Sequence, residues 1–328
     1  MESPRPPIPA HRKRIYWGLM LLLCVGMVWL FAQFAFHSAF LGWWMSPELK
    51  PDKKYEALCR KYDEAINQFN KSYSLQNTYG FTDVNHPYEA PDSLLRIAIL
   101  GDSYIWGDGL HFSQTWNHQL ADRLNLDYTN VEVLHWGRNG WNYPDHRRWI
   151  VEEGKKFKVD LVLLAWCFND MFGEGHDSLS RFQKTYAGDT FLRSFQRYVC
   201  QPQRVKAYLQ SLVAIRDTLA KRNIRFVVFL ASHPPLGLTY EKALLRREFI
   251  ANGIDFYDPT SLLRVKLSGG PKHNSILDIS PANGHSGAIV NYFKADAALL
   301  WLKSQPLMAK ARPRLLPSGT LSAHWEAQ

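Results

Sequence analysis

Apolar and polar residues change their spacing several times along this chain, and each change marks a different kind of segment. From Ile15 to Pro47 there is no Asp, Glu, Lys or Arg. The stretch IYWGLMLLLCVGMVWLFAQFAF within it is as long as the roughly 20 apolar residues that cross the hydrocarbon layer as a helix. From Pro51 to about Tyr73 the apolar positions recur at helical spacing, which predicts an amphipathic helix, and a polar connector follows through Asn85, Pro87, Pro91 and Asp92. Beyond it, short apolar runs alternate with longer helical patterns. The runs are RIAIL (96–100), VEVLH (131–135), DLVLLAW (160–166), RFVVFL (225–230) and IDFY (254–257); the helical patterns lie near 113–124, 144–156, 203–222, 238–252 and 286–303.

Near-continuous Val/Ile/Leu runs suit strands covered by helices on both faces, and strand–helix alternation argues for an α/β doubly wound domain with a parallel sheet. Residues 171–200 have little periodicity and read as an insertion over the site. From about Pro306 no apolar face recurs and Pro313 and Pro317 intervene, so a disordered tail is expected. The predicted division is a basic segment (1–14), a transmembrane helix with an interfacial segment (15–45), a helical linker (46–92), the α/β domain (93–303) and the tail (304–328).

Composition narrows the class. The 328 residues are 46% hydrophobic and 21% charged, an ordinary globular balance, and 20 Gly without a period with only 4 Cys exclude a collagen or a disulfide scaffold. A mean hydropathy of −0.28 argues against many spans. The net charge of +9 is spread along the chain. Arg5, Arg12, Lys13 and Arg14 against Glu2 give +3 at the start; Lys303, Lys310, Arg312 and Arg314 against Glu326 give +3 at the end; the long middle holds the remaining +3. No basic groove for nucleic acid is expected.

Arg12, Lys13 and Arg14 directly precede the uncharged stretch, and Trp43 and Trp44 suit the far interface, so the N-terminus is expected in the cytoplasm and the rest outside it. A cleaved signal peptide normally has a shorter apolar core and a small-x-small site, which is missing near Ala32, Ala35 and Ala39; bulky Leu23 before Cys24 argues against a lipoprotein. An extracytoplasmic site permits disulfides among Cys59, Cys167 and Cys200, but nothing in the spacing selects a pair, and free buried thiols fit equally well.

Parallel sheets bind substrates beyond the carboxyl ends of their strands. There the first run leads into Gly101-Asp102-Ser103 and then Gly107-Asp108-Gly109, the second ends in His135-Trp136-Gly137, and the third in Cys167-Phe168-Asn169-Asp170. Ser280-Pro281-Ala282-Asn283-Gly284-His285 precedes the last helix. A Ser on a tight turn beside backbone N–H groups is placed to attack a carbonyl and hold the oxyanion. The bland alternatives are a helix cap at Asp102 or Ser103 and a surface His. Trp106, Trp136, Trp141 and Trp166 fit either sugar stacking at the rim or the core. His273, Asp278 and His285 match no tight metal spacing, and there is no Walker-type loop, so neither a metal nor another cofactor is expected.

Taken in this order, the four blocks resemble the GDSL/SGNH hydrolase family over approximately residues 77–303. The resemblance implies a flavodoxin-like three-layer α/β sandwich, with Ser103 as nucleophile and His285 as general base. The Ser103 and Gly137 N–H groups and the Asn169 side chain would be the oxyanion donors. Three positions depart from the family pattern: His135 before the second-block Gly, taken to touch only loop structure, Cys167 at the start of the third block, and Asn283 where the family usually has the Asp that partners the His. Asn283 can accept a hydrogen bond from the imidazole but cannot stabilise the imidazolium by charge. Asp278 is a weaker substitute.

The expected activity is a membrane-anchored, extracytoplasmic serine esterase or deacylase acting on an O-acylated carbohydrate, such as a cell-surface glycan, or on a lipid ester. Two alternatives stay open. One is an O-acyltransferase working beside a membrane acyl-donor protein; the other is a catalytically silent binding module, which Asn283 motivates.

Overall fold

The computed structural model describes residues 76–172, 200–230, 239–267, 278–280 and 283–315, with isolated helical positions at Lys61, Glu64, Ala65 and Gln68. The basic segment, the expected transmembrane helix, nearly all of the linker helix, Cys59, His273, most of the insertion and residues 316–328 lie outside the described residues. Among the described residues no helix is long and apolar enough to cross a membrane.

Five parallel strands form the sheet: β1 (Leu95–Gly101), β2 (Val131–Gly137), β3 (Leu161–Ala165), β4 (Arg225–Phe229) and β5 (Phe256–Tyr257), in the order β2-β1-β3-β4-β5. That is the flavodoxin-like order. The helices are α1 (Ser103–Trp106), α2 (Trp116–Asp127), α3 (Tyr143–Glu152), α4 (Pro202–Ala220), α5 (Thr239–Ala251), α6 (Thr260–Leu267) and α7 (Ala288–Lys303). A separate antiparallel hairpin pairs β6 (Asp278–Ser280) with β7 (Asn283–Ser286).

All seven residues of β1 are buried, and their side chains divide by the period of two. Leu95, Ile97 and Ile99 pack with Trp116, Leu120 and Leu124 of α2 and Ala295, Ala298 and Leu302 of α7. Ala98 and Leu100 pack on the other side with Trp149 and Ile150 of α3, Tyr208 and Leu212 of α4, and Leu245 and Phe249 of α5. Two apolar layers therefore sandwich the sheet, which is why its strands carry no polar face. The five apolar runs and five long helical patterns of the sequence all appear, with shifted ends. The short α1, α6 and the β6–β7 hairpin lie outside that pattern.

Three expectations need correction. First, residues 76–92 are not linker but part of the domain. Phe81 is fully buried, with its ring 4.8 Å from that of Trp149 and 5.4 Å from that of Trp141. Asp83 accepts from the backbone N–H of His135 at 2.7 Å, and His86 sits between Asp83 (3.2 Å) and Glu132 (2.9 Å). Second, the chain is folded to residue 315. A 3-10 turn at Pro306–Lys310 buries Met308, and Asn130 bonds both flanks of the sheet base: its amide donates to Ser93 O (2.5 Å) and Lys310 O (3.0 Å), and its oxygen accepts from Arg312 N–H (2.5 Å). Third, His135 touches far more than loop structure. It is buried on β2, stacked on His118 at 4.1 Å and bonded to Asn117, and burial holds its pKa well below the ordinary value.

Of the tryptophans proposed for the rim, Trp136 and Trp166 belong to the core, and Trp141 packs against it. Cys167 and Cys200 are free thiols.

Two measurements test the placement of the 76–92 segment. Phe81→Ala should lower unfolding free energy by about 3–5 kcal/mol, as for other buried Phe truncations, whereas a linker residue would leave urea denaturation unchanged. Burial alone would lower the His86 pKa, but Asp83 and Glu132 outweigh it and raise it from 6.5 to about 9. The folded state then holds the proton more tightly, so this contribution is complete below pH 6.5 and lost as pH rises through about 9. The stability difference between wild type and His86→Gln should shrink across that window in denaturation series at stepped pH.

Candidate active site

The site is built where β1 and β2 end side by side, Gly101 opposite Gly137. Asp102 caps α1, its side chain accepting from the Tyr104 N–H at 3.0 Å, and the single turn of helix ends at Gly107 with φ 88°. Ile105 lies across both strand ends. A Cβ on Gly101 would collide with the Ile105 side chain, and one on Gly137 would come within 2.5 Å of Ile105 and 2.9 Å of the Trp106 nitrogen. The glycines are needed for this close approach, which seats Ser103 on the rim of the sheet with little freedom to shift.

Ser103 is nearly buried, and its Oγ lies 2.8 Å from Nε2 of His285. The imidazole comes from β7 on the far side of the chain, and its ring is 4.8 Å from that of Tyr104. Its other nitrogen, Nδ1, faces Oδ2 of Asp108 at 3.9 Å. This separation is longer than a hydrogen bond. Asn283 shares β7 with His285, and Asp278 pairs with Ser286 across the hairpin; the parts assigned to their side chains fall outside what is described.

The other two expected residues lie around the same edge. The Arg138 N–H turns back to Gly101 O at 3.4 Å, so alternation along β2 directs the Gly137 N–H away from β1. Asn169 belongs to a 3-10 turn (Phe168–Phe172) after β3, and its amide lies against the Asp102 carboxylate.

Beneath Ser103 the charges are suppressed by burial. Asp102 is fully enclosed, and burial raises its pKa against the opposing pull of the Tyr104 N–H, the Asn169 amide, nearby His285 and the Cys167 thiol. Asp170 is pushed well above the usual carboxyl range by burial and by Asp102, although its Oδ2 accepts from the Cys167 N–H at 3.0 Å. His146, 3.7 Å from Asp170, is lowered by burial to about 3. Burial thus disfavours the charged form of both members of this pair.

The space beside Ser103 is small. A cavity of about 10 Å³, roughly what one water requires, lies among Ser103, Tyr104, Leu110, His285 and Ser286. A larger cavity of about 710 Å³ lies between α4 and α5, lined by Val205, Leu209, Leu244 and Arg247 among others, and includes neither Ser103 nor His285. Among the described residues no cluster of three or more His, Cys, Asp or Glu is arranged to hold a metal ion.

No family model matches the chain, and no curated protein matches it. Many of the solved structures similar to it are GDSL/SGNH hydrolases. A member of the lipolytic G-D-S-L family from Veillonella parvula DSM 2008 is 14% identical, covering 64% of this chain and all of its own, with a TM-score of 0.43. A lipase/acylhydrolase from Enterococcus faecalis is 13% identical, covering 68% of this chain and all of its own, with a TM-score of 0.40. An acetyl xylan esterase is 15% identical, covering 64% of this chain and all of its own, with a TM-score of 0.41.

Asp108 and Tyr104 are site residues that the sequence reading passed over. The signal for Asp108 was present: a second Gly-Asp follows the first within GDSYIWGDG, one helical turn beyond the Ser. If Asp108 orients the imidazole, Asp108→Asn lowers kcat on an ester substrate by on the order of tenfold or more and exceeds the effect of Asn283→Ala. The reverse order would assign the orienting role to position 283.

Proposed function

We propose that the chain is a serine esterase or deacylase of the SGNH type, acting on O-acyl esters. The observation that carries this reading is the 2.8 Å approach of Ser103 Oγ to His285 Nε2 at the carboxyl edge of a parallel sheet. In the proposed reaction Oγ attacks the ester carbonyl carbon while its proton passes to Nε2. The electron pair of the C=O bond moves onto oxygen, where the Ser103 N–H and the Asn169 amide are the proposed donors, the Gly137 N–H being directed away from β1. Collapse breaks the bond to the alcohol, which leaves with the proton from His285. Water then attacks acyl-Ser103 by the same route and releases the acid. Asp108 faces the Nδ1 side of the ring at 3.9 Å, placed to orient the imidazole in both steps.

The narrow cavity beside Ser103 favours a short acyl group such as acetyl over a long chain. The reading also takes the domain to be held outside the cytoplasm, on the strength of Arg12–Lys13–Arg14 before the uncharged stretch, with O-acylated surface glycans as substrates.

p-Nitrophenyl acetate should be turned over faster than the octanoate, and Ser103→Ala should lower kcat on the acetate by on the order of 10⁴-fold or more. A phosphonate ester should leave an adduct on Ser103 that mass spectrometry locates. Equal turnover by wild type and Ser103→Ala at every chain length would refute the assignment. Transfer of acetyl to an added glycan hydroxyl faster than to water would make the protein an O-acyltransferase with Ser103 in the same role.

A further inference from the structure

One buried cation near the dyad has no part in the reaction as written. Lys294, on α7, is only 1% exposed. Its Nζ donates to Oγ of Ser286 at 2.8 Å and lies 5.2 Å from the centre of the Tyr104 ring. Ser286 directly follows His285, and Tyr104 directly follows Ser103; the rings of Tyr104 and His285 are themselves 4.8 Å apart.

An ammonium with one neutral acceptor and one ring face is poorly compensated for its loss of water. A Leu or Met would fill the same helical position without that penalty. One helical turn earlier, Asn291 secures the same loop by other means: its amide donates to Ser286 O (2.7 Å) and Gly287 O (3.0 Å), and its oxygen accepts from the Trp116 N–H (3.1 Å). Backbone attachment of the loop is thus already provided, and what Lys294 adds is a link from the loop to the nucleophile helix. Lys242 opposes its charge, and Asp102 and Cys167, whose own ionisation burial disfavours, offset this only when ionised. Burial lowers its pKa to about 7, so it is poised between charged and neutral under ordinary conditions.

We propose that Lys294 is a positioning residue for the reaction: through Ser286 and the face of Tyr104 it fixes the strand bearing His285 against the helix bearing Ser103, and so maintains the Oγ–Nε2 approach. The proposal rests on the esterase reading above. It predicts a defect in the chemical step that substrate binding does not share, because Lys294 does not line the cavity beside Ser103.

The test uses the full chain carrying Lys294→Met, Ser286→Ala or both, each checked for folding by thermal melting. The readouts are kcat and KM on p-nitrophenyl acetate and the rate at which a phosphonate ester labels Ser103. Each single variant should lower kcat and labelling by on the order of 10- to 100-fold, the range expected when a reacting group is displaced by about 1 Å, and for Lys294→Met, outside the cavity lining, KM should stay nearly unchanged. The double variant should lose no more than the worse single one, since both break one link. A folded Lys294→Met protein with wild-type kcat and labelling would overturn the proposal, as would losses that multiply in the double variant. Should Lys294→Met fail to fold, Ser286→Ala decides alone: a loss in both kcat and the labelling rate supports the link, and wild-type rates refute it. A wild type that neither turns over the ester nor labels refutes the esterase reading and this proposal together, whereas active wild type with unaffected variants refutes only this one.

Discussion

The site depends on a steric constraint: two glycines at the ends of neighbouring strands leave room for one isoleucine. Ile105 rests on Gly101 and Gly137 at distances that no Cβ would allow. A parallel pair in register brings those glycines side by side, and α1 is pressed onto both at once. Ser103 inherits its place from that contact. The glycines therefore serve less to relax the backbone than to remove side chains from beneath the nucleophile. Any shift in the β1–β2 register would replace one of them with a larger residue and lift the hydroxyl off the sheet.

Electrostatics supports the same arrangement from below. A cluster of Asp102, Asp170, His146 and Cys167 under a nucleophile looks like an ionic network on paper. Burial disfavours charge within it, raising the pKa of Asp170 and lowering that of His146. Such a base adds hydrogen bonds and shape while opposing the build-up of negative charge under the atom where an oxyanion would form. Half-buried Asp108 is instead on the far side of the imidazole, 3.9 Å from Nδ1.

Much of this was legible in the sequence because parallel strands covered on both faces have few alternatives to runs of Val, Ile and Leu. The blocks at their ends were legible because turn chemistry places Gly and Ser there for local reasons. What escaped was tertiary. Residues 76–92 read as a connector because their anchors are three unevenly spaced aromatics, Tyr79, Phe81 and Tyr88, and a set of charges whose partners are on a distant strand. The segment after Pro306 has no period because it is held by bonds to backbone from Asn130 and by single buried residues such as Met308. Lys294 carries no spacing signal toward Tyr104; only the folded chain brings the two together.

The Asn130 carboxamide has a consequence for how the protein is made. It joins Ser93, at the threshold of the first strand, to Lys310 and Arg312, more than two hundred residues later in the chain. A chain emerging from the ribosome can assemble most of its sheet early, but this stitch waits until the end of the domain has left the exit tunnel. Until then the floor of β1 lacks its final partners, so synthesis keeps the domain open at the base for most of its length.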